Sequence, residues 1–200
     1  RRLSIDKAPD AYNLLFESST LGILLEYPGN EKAGREDSSI SLRPRAGAYE
    51  DHDPMDPVVG FMGGGNHAGR VLMPTFRNAG GRLETLVTTG SIRGTHYARK
   101  FGFRIISTDP QDLWNNAAIN TVVIATRHNA HAEQVIAGLR AGKNVFVEKP
   151  LALSISELDR IEEVYREKVS SESRGNIQLM VGFNRRFAPH VIKMKELLRN

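Results

Sequence analysis

A glycine-rich turn is the first feature of this sequence that could bind a ligand. Gly63, Gly65 and Ala68 occupy the defining positions of the pattern G-x-G-x-x-G/A, with Asn66 and His67 between the last two. In this pattern the first glycine permits a tight turn, the second lets the backbone approach a pyrophosphate, and the third small residue keeps helix and strand close. The N–H groups of the following helix add positive partial charge. The motif predicts a dinucleotide site, with a ligand-free turn or an S-adenosylmethionine site as alternatives.

The residues that would meet the adenosine ribose are hydroxyl-bearing and basic. An NAD site usually places an acid about twenty residues after the glycine turn, where it binds the ribose 2′-hydroxyl. No acid stands there, and Glu84 comes too early and is predicted to face solvent. Thr88, Thr89 and Ser91 could donate to a 2′-phosphate and Arg93 could neutralise it, so the cofactor is left as NAD(P). S-adenosylmethionine is disfavoured because its usual acidic ribose partner is missing.

Lys149 is the best candidate for catalysis. It follows a predicted strand, and ligands of parallel sheets bind beyond the carboxyl ends of the strands. Oxidation of an alcohol requires hydride to leave carbon as a proton leaves oxygen, so a partly desolvated cation near the hydroxyl would stabilise the developing alkoxide. The alternative is a surface lysine before a turn proline. Lys149–Pro150 is also a candidate cis peptide bond.

Two histidines and an arginine are weaker candidates. His128 and His131 form an H-x-x-H pair at one end of a predicted helix, a spacing that could support a metal. The sequence has no cysteine, and no acid lies near enough to complete a ligand set, so no metal is predicted. Arg186 follows the last predicted strand and could meet the cofactor or the substrate, with an ordinary surface arginine as the alternative.

Strands and helices must alternate to position these residues. Apolar runs predict strands, and 3.6-residue periodicity predicts helices between them. The predicted strands are 58–62, 83–89, 104–107, 121–125, 144–147 and 177–183; the predicted helices are 66–79, kinked at Pro74, then 96–100, one capped by Asp109, 132–139, one capped by Ser154 with Glu157, and one from about 191. This order predicts an α/β fold with a doubly wound parallel sheet of Rossmann type.

The chain divides into parts of unlike composition. Residues 58–186 form the predicted dinucleotide-binding domain. Before them, 1–27 read as a helix and a strand, and 28–57 read as a proline- and glycine-rich linker. Residues 1–57 carry a net charge of −4 and residues 58–200 carry +8, which suits an anionic cofactor. The chain opens without methionine and stops as a helix begins, so we expect it to be a piece of a longer protein.

Some partners are not expected. Basic and aromatic residues do not form the stripe that nucleic-acid binding requires. No apolar run is long enough for a membrane span and no secretory leader is visible, so we predict a cytoplasmic protein without a membrane partner.

The glycine turn, the segment Val123–His131 and the stretch Ala141–Pro150 (AGKNVFVEKP) together resemble the Gfo/Idh/MocA oxidoreductases. The resemblance covers about residues 58–200. It implies hydride transfer between NAD(P) and a small molecule, namely a sugar, nucleotide sugar or cyclitol, in a homo-oligomer. It implies that the glycine turn binds the pyrophosphate, that residues 88–91 meet the ribose, and that further residues contact or border the cofactor: Ala125, Thr126, Arg127, His128, His131, Glu148 and Lys149.

The resemblance also implies parts that this sequence lacks. Family members carry a second α/β domain that holds the substrate and usually a D-x-x-x-H motif, whereas only 187–200 would begin that domain here. Its absent base leaves a non-catalytic dinucleotide sensor or scaffold as the alternative function. The first 27 residues are similar to the end of a medium-chain, zinc-type alcohol dehydrogenase, which would precede the oxidoreductase in a two-domain bacterial protein.

Overall fold

The computed structural model describes residues 2–14, 22–26, 38–42, 56–90, 92–170 and 177–199. The chain divides into two units, Arg1–Asp37 and Ser38–Asn200. Among the described residues, no helix has both the length and the apolar character needed to cross a bilayer.

The first unit contains a small parallel strand pair. β1 (Arg2–Ser4) is followed by a 3₁₀ turn and α1 (Ala8–Leu14), and β2 (Leu24–Glu26) pairs parallel with β1. The helix and β2 agree with the elements predicted for this segment. The sequence does not predict β1, because three residues are too few to show a period of two.

The second unit is built on a seven-stranded sheet whose strands alternate with helices. The strands are β3 (Ser39–Ser41), β4 (Val58–Met62), β5 (Arg82–Val87), β6 (Ile105–Ser107), β7 (Thr121–Ile124), β8 (Asn144–Val147) and β9 (Leu179–Val181). The helices are α2 (Met73–Asn78), α3 (Ile92–Phe101), α4 (Gln111–Trp114), α5 (His131–Arg140), α6 (Ile155–Ser170) and α7 (Pro189–Leu197).

The strand order is β3-β6-β5-β4-β7-β8-β9. The six strands from β4 onward run parallel, in the order 3-2-1-4-5-6 of a doubly wound dinucleotide fold. This confirms the predicted fold class. The order reverses between β4 and β7, which are direct neighbours, so the ligand crevice is expected beyond their carboxyl ends.

Apolar side chains on both faces of the sheet explain why helices cover each of the two faces. Val59 and Phe61 of β4 pack in a cluster with residues of α2 and α3, whereas Val58 and Met62 belong to a cluster with residues of α5 and α6. Successive side chains of a strand point to opposite faces, so a strand that is apolar throughout must be buried on both sides. All five residues of β4 are buried accordingly.

The helix after the glycine turn is irregular where Pro74 lies in it. A π-helical segment, Ala68–Leu72, runs directly into α2, and the Met73 N–H bonds to the Ala68 carbonyl. Proline has no N–H, and its ring would clash with the carbonyl four residues earlier in a regular helix. Widening the preceding turn relieves that clash, so the kink predicted at Pro74 takes the form of a π segment.

The structure corrects two element predictions. Within the predicted linker 28–57, Ser39–Ser41 form β3, which pairs antiparallel with β6, so the linker prediction is wrong at these residues. The strand is short and amid polar residues, and its partner lies far along the chain, which is why no local pattern shows it. Most of the remaining linker lies outside the described residues. The helix predicted at 96–100 starts earlier, at Ile92.

Lys143 is a buried cation in the turn between α5 and β8. The residue is 6% exposed, and its Nζ donates to the carbonyls of Asn116 at 2.8 Å and Ile119 at 2.7 Å. Burial lowers the pKa of this amine, because the charged form loses hydration. The two bonds tie this turn to the loop that precedes β7.

Candidate cofactor site

A cleft of about 1180 Å³ lies at the carboxyl ends of the central strands. Its lining comes from the turns that follow β4, β5, β6 and β7, where the strand order predicts a ligand. The residues that line it are Met62, Gly63, Gly64, Gly65, Val87, Thr88, Thr89, Ile92, Arg93, Thr108, Pro110, Ala125, Thr126, Arg127, Asn129, Ala130 and Gln134.

Gly63 and Gly65 meet different constraints in the glycine turn. Gly63 has a φ of +105°, and a Cβ there would lie 2.6 Å from the Ala125 carbonyl oxygen. Gly65 has no atom within 4 Å of the position that a Cβ would take. The first glycine is therefore required by the protein's own backbone, whereas the second leaves open space beside the cleft. That space fits the approach of a pyrophosphate to the backbone.

Eight of the predicted cofactor residues line the cleft, and eight do not. Those that line it are Gly63, Gly65, Thr88, Thr89, Arg93, Ala125, Thr126 and Arg127. Those outside its lining are Asn66, His67, Ala68, His128, His131, Glu148, Lys149 and Arg186. Ser91 lies outside the described residues. Ala68 is buried in the core beneath the turn, as a close helix–strand contact requires.

The end of β8 is tied to the glycine turn through a side-chain pair. Glu148 Oε1 lies 3.0 Å from His67 Nε2, and Glu148 Oε2 accepts from the Lys149 N–H at 3.3 Å. A Cβ on Gly182 would lie 3.2 Å from Glu148 Oε1, so Gly182 leaves room for that carboxylate. Lys149 itself is exposed, contrary to the desolvation expected, and the Lys149–Pro150 bond is cis, as predicted.

His131 holds two loops together from a buried position. It is 0% exposed, with Nδ1 2.7 Å from the Pro150 carbonyl oxygen and Nε2 3.3 Å from the Thr126 carbonyl oxygen. Each ring nitrogen thus faces a carbonyl oxygen, which can accept a hydrogen bond from an imidazole N–H. His131 thus supports the cleft wall at Thr126 and the loop after Lys149.

Arg186 and His128 lie apart from the cleft lining. The Arg186 guanidinium stacks on the Phe187 ring at 4.8 Å from its centroid, in the 3₁₀ turn after β9. The rings of His128 and His131 are 5.6 Å apart. In the described part of the chain, no three His, Asp or Glu side chains group as metal ligands.

Glu84 corrects a prediction at the adenosine side. It is 2% exposed rather than solvent-facing, because β5 lies inside the sheet with helices on both faces. Its carboxylate accepts a hydrogen bond from Arg104 Nε at 2.8 Å, so a buried charge is paired. Glu84 is thus a structural residue distant from the end of β5.

Sequence reasoning missed several residues that the cleft uses. Thr108 and Pro110 follow β6, and Gln134 lies in α5 after β7, with Thr126 Oγ1 donating to Gln134 Oε1 at 2.6 Å. The available signal was their position after strand ends, because the ends of parallel strands meet at one edge. The sequence offered no local motif at these positions.

A dinucleotide fits what these residues offer. The glycine turn supplies backbone N–H groups and open space at Gly65, and hydroxyl and guanidinium groups follow at Thr88, Thr89 and Arg93. Pyrophosphate needs hydrogen-bond donors and positive charge, and adenosine needs an apolar crevice with a few polar groups. The cleft provides both.

Comparison with known proteins agrees with this geometry. The model of the Gfo/Idh/MocA oxidoreductase family, which has an NAD-binding Rossmann fold, matches residues 58–172. Myo-inositol 2-dehydrogenase of Thermotoga maritima is 34% identical over 101 residues, which are 50% of this chain and 28% of that protein. Levoglucosan dehydrogenase of Pseudarthrobacter phenanthrenivorans is 31% identical over 142 residues, 70% of this chain and 35% of that protein.

A solved structure shares the fold. Scyllo-inositol dehydrogenase from Lactobacillus casei, with bound NAD(H) and scyllo-inositol, superposes with a TM-score of 0.64 at 23% identity, over 72% of this chain and 41% of that chain. The present chain spans between 24% and 41% of the length of its curated relatives. With the family match covering more than half of its residues, the chain belongs to the Gfo/Idh/MocA family of oxidoreductases with an NAD-binding Rossmann fold.

Proposed function

We propose that this chain is the cofactor-binding part of an NAD(P)-dependent oxidoreductase acting on a CH–OH group. The observation that carries the proposal is the cleft beyond β4, β5 and β7, built on a glycine turn whose second glycine faces open space. The substrate class is a sugar, nucleotide sugar or cyclitol; the names of two relatives, a myo-inositol dehydrogenase and a levoglucosan dehydrogenase, support the cyclitol and the sugar.

The glycine turn and its neighbours would hold the cofactor. Gly63 sets the turn and Gly65 admits the pyrophosphate, while Thr88, Thr89 and Arg93 would meet the adenosine ribose. Thr126 and Arg127 would border the other side of the cofactor, supported by Gln134 and His131. The nicotinamide supplies the hydride acceptor and donor when it is bound.

Lys149 would handle the charge on the substrate oxygen. Its ammonium stands at the end of β8, and the backbone N–H of the same residue is bonded to Glu148, which in turn contacts His67. A cation at the hydroxyl stabilises negative charge that develops on oxygen as its proton leaves. Glu148 and His67 would act as positioning residues for this segment.

Further parts of the proposal concern the whole protein. They are a homo-oligomeric state, a cytoplasmic location, and an upstream zinc-type alcohol dehydrogenase whose last residues would be 1–27. The order of α1 followed by β2 in the first unit supports the last of these, because a helix followed by a strand is what that resemblance requires.

Cofactor binding is the first test. Isothermal titration of the protein with NADH and NADPH is expected to show saturable binding of at least one of them. Binding of neither would overturn the proposal, and selective binding of S-adenosylmethionine would replace it.

Turnover tests the role of Lys149. In the full-length protein, assayed with a panel of sugars and cyclitols, Lys149→Ala is expected to lower kcat at least about 100-fold, the size of effect given by a group that moves or stabilises a proton. Lys168→Ala is the control: Lys168 lies in the last turn of α6 and outside the cleft lining. Equal turnover in the Lys149→Ala variant would remove this role from Lys149, and the absence of turnover in the unmodified full-length protein would favour the non-catalytic sensor.

A further inference from the structure

We propose that the site prefers NADP(H) to NAD(H), with Arg93 and Thr89 binding the 2′-phosphate of the adenosine ribose. The inference rests on the proposed function, since it specifies which dinucleotide the cleft takes. The sequence alone permits either cofactor. It shows that no acid stands where NAD sites usually carry one, about twenty residues after the glycine turn, but it does not show which side chains surround that position.

The first observation is the absence of a free carboxylate. No residue that lines the cleft, in the described part of the chain, is Asp or Glu. The acids nearest to these residues along the chain lie outside the cleft lining, and each accepts a hydrogen bond within the protein: Glu84 from Arg104 at 2.8 Å, Asp109 Oδ1 from the Gln111 N–H at 2.9 Å, and Asp112 from the Ser107 hydroxyl at 2.6 Å. Among the described residues, a free ribose 2′-hydroxyl would therefore find no acid in the cleft lining, whereas NAD sites usually supply one.

The second observation is the charge of Arg93. Its guanidinium is exposed and has no hydrogen-bond or ion-pair partner within the ranges that the structure describes. Arg93 lines the cofactor cleft and also a neighbouring cleft of about 960 Å³, whose lining includes Arg70, His96 and Lys100 and no acid. A dianionic phosphate is stabilised by such a field, whereas an uncharged hydroxyl gains little from it.

The third observation is how the backbone presents these groups. A Cβ on Gly64 would lie 3.3 Å from Gly94 Cα, and a Cβ on Gly94 would lie 2.7 Å from Thr88 Cγ2. The glycine turn, the end of β5 and the first turn of α3 are therefore packed against each other. This packing holds Thr89 and Arg93 beside the turn that would bind the pyrophosphate. Planar guanidinium groups can bind phosphate through two parallel hydrogen bonds.

Direct titration of the protein tests the inference. NADPH is expected to bind at least about tenfold more tightly than NADH, the effect of one charge-assisted contact of about 1.4 kcal/mol. Arg93→Ala should remove that difference by weakening NADPH binding about tenfold while NADH binding changes less than about twofold. Arg99→Ala is the matched control, because Arg99 is exposed on the same helix but lines neither cleft.

Two fragments of the dinucleotides test whether the preference arises at the 2′-phosphate. In the unmodified protein, 2′,5′-ADP should bind more tightly than 5′-AMP, and Arg93→Ala should abolish that difference. Thr89→Asp, which adds an acid at the end of β5, should reverse the preference toward NADH.

Two outcomes would overturn the inference while leaving the proposed function intact: NADH binding as tightly as NADPH, or Arg93→Ala weakening both to the same degree. Binding of neither dinucleotide would overturn both.

Discussion

Gly63 and Gly65 stand two positions apart in one turn, yet the fold requires glycine only at the first of them. At Gly63, the left-handed φ and the Ala125 carbonyl leave no room for a Cβ. At Gly65 a Cβ would enter open space. A side chain at the first position therefore disturbs the fold, and a side chain at the second disturbs only what would bind beside it.

Gly65→Ala is expected to leave the free energy of unfolding within about 1 kcal/mol of the unmodified protein and to weaken dinucleotide binding at least tenfold. Gly63→Ala should lower both the free energy of unfolding and the affinity for the dinucleotide, with a stability loss of about 2 kcal/mol or more, because the new Cβ would be strained and would overlap the Ala125 carbonyl. Gly80→Ala is the control for Gly63→Ala. Gly80 also has a positive φ, of +91°, but a Cβ there would meet no atom within 4 Å, and Gly80 does not line the cleft. Denaturant unfolding and titration calorimetry measure both quantities; unimpaired binding by Gly65→Ala would contradict this assignment.

At this scale the sequence predicted the motif residues better than their neighbours. Gly63, Gly65, Thr88 and Arg93 could be placed at the cleft because their spacing along one βαβ unit fixes where they meet. The pairing that accompanies the burial of Glu84 could not be predicted, since its partner Arg104 lies twenty positions later in the chain.

Helix packing beside the turn depends on Gly69, which no motif position marks. A Cβ on Gly69 would overlap the ring of Tyr97, so α3 approaches the π-helical segment closely only because that residue is glycine. This close approach helps to place the first turn of α3, and with it Arg93, at the edge of the cleft.

A double-mutant cycle on this contact gives an element-scale prediction. Gly69→Ala alone is expected to cost about 1–3 kcal/mol, because it overpacks the interface. In a Tyr97→Ala background the same change should cost less than about 0.5 kcal/mol, since the ring is gone. Urea unfolding measures all four proteins, and an equal cost in both backgrounds would show that the contact does not limit packing.

Element predictions succeeded where an element is long or strongly patterned. The five buried residues of β4 and the helical face of α5 show their periods in the sequence. β1 and β3 each have three residues, and β3 forms only because β6 offers a free edge. Pairing between distant segments has no local signature, so neither strand could be derived from sequence periodicity.

At the scale of the whole molecule, the +8 charge of residues 58–200 includes one cation that cannot act on a ligand. Lys143 is buried in the turn before β8 and bonded to two carbonyls, whereas Arg93 is exposed at the cleft edge. Net charge alone does not distinguish these cases, because one binds the protein's own backbone and the other faces the cofactor cleft.

Lys143 should make folding stability rise with pH in the alkaline range. Burial lowers its pKa in the folded protein below the ordinary value of 10.5, which the unfolded chain retains. Between the lowered pKa and 10.5, the unfolded state binds more protons, so the free energy of unfolding increases with pH by at most about 1.4 kcal/mol per pH unit. Below the lowered pKa both states carry the proton, and this dependence vanishes.

Denaturant unfolding of the unmodified protein and of Lys143→Met over this range measures the effect as a difference, which cancels the titration of other groups. As pH rises toward 10.5, the free energy of unfolding of the unmodified protein should increase relative to that of Lys143→Met. A difference in the free energy of unfolding between the unmodified protein and Lys143→Met that does not change with pH would contradict this prediction. It would mean that water hydrates the amine in the folded protein and shares it with the carbonyls of Asn116 and Ile119.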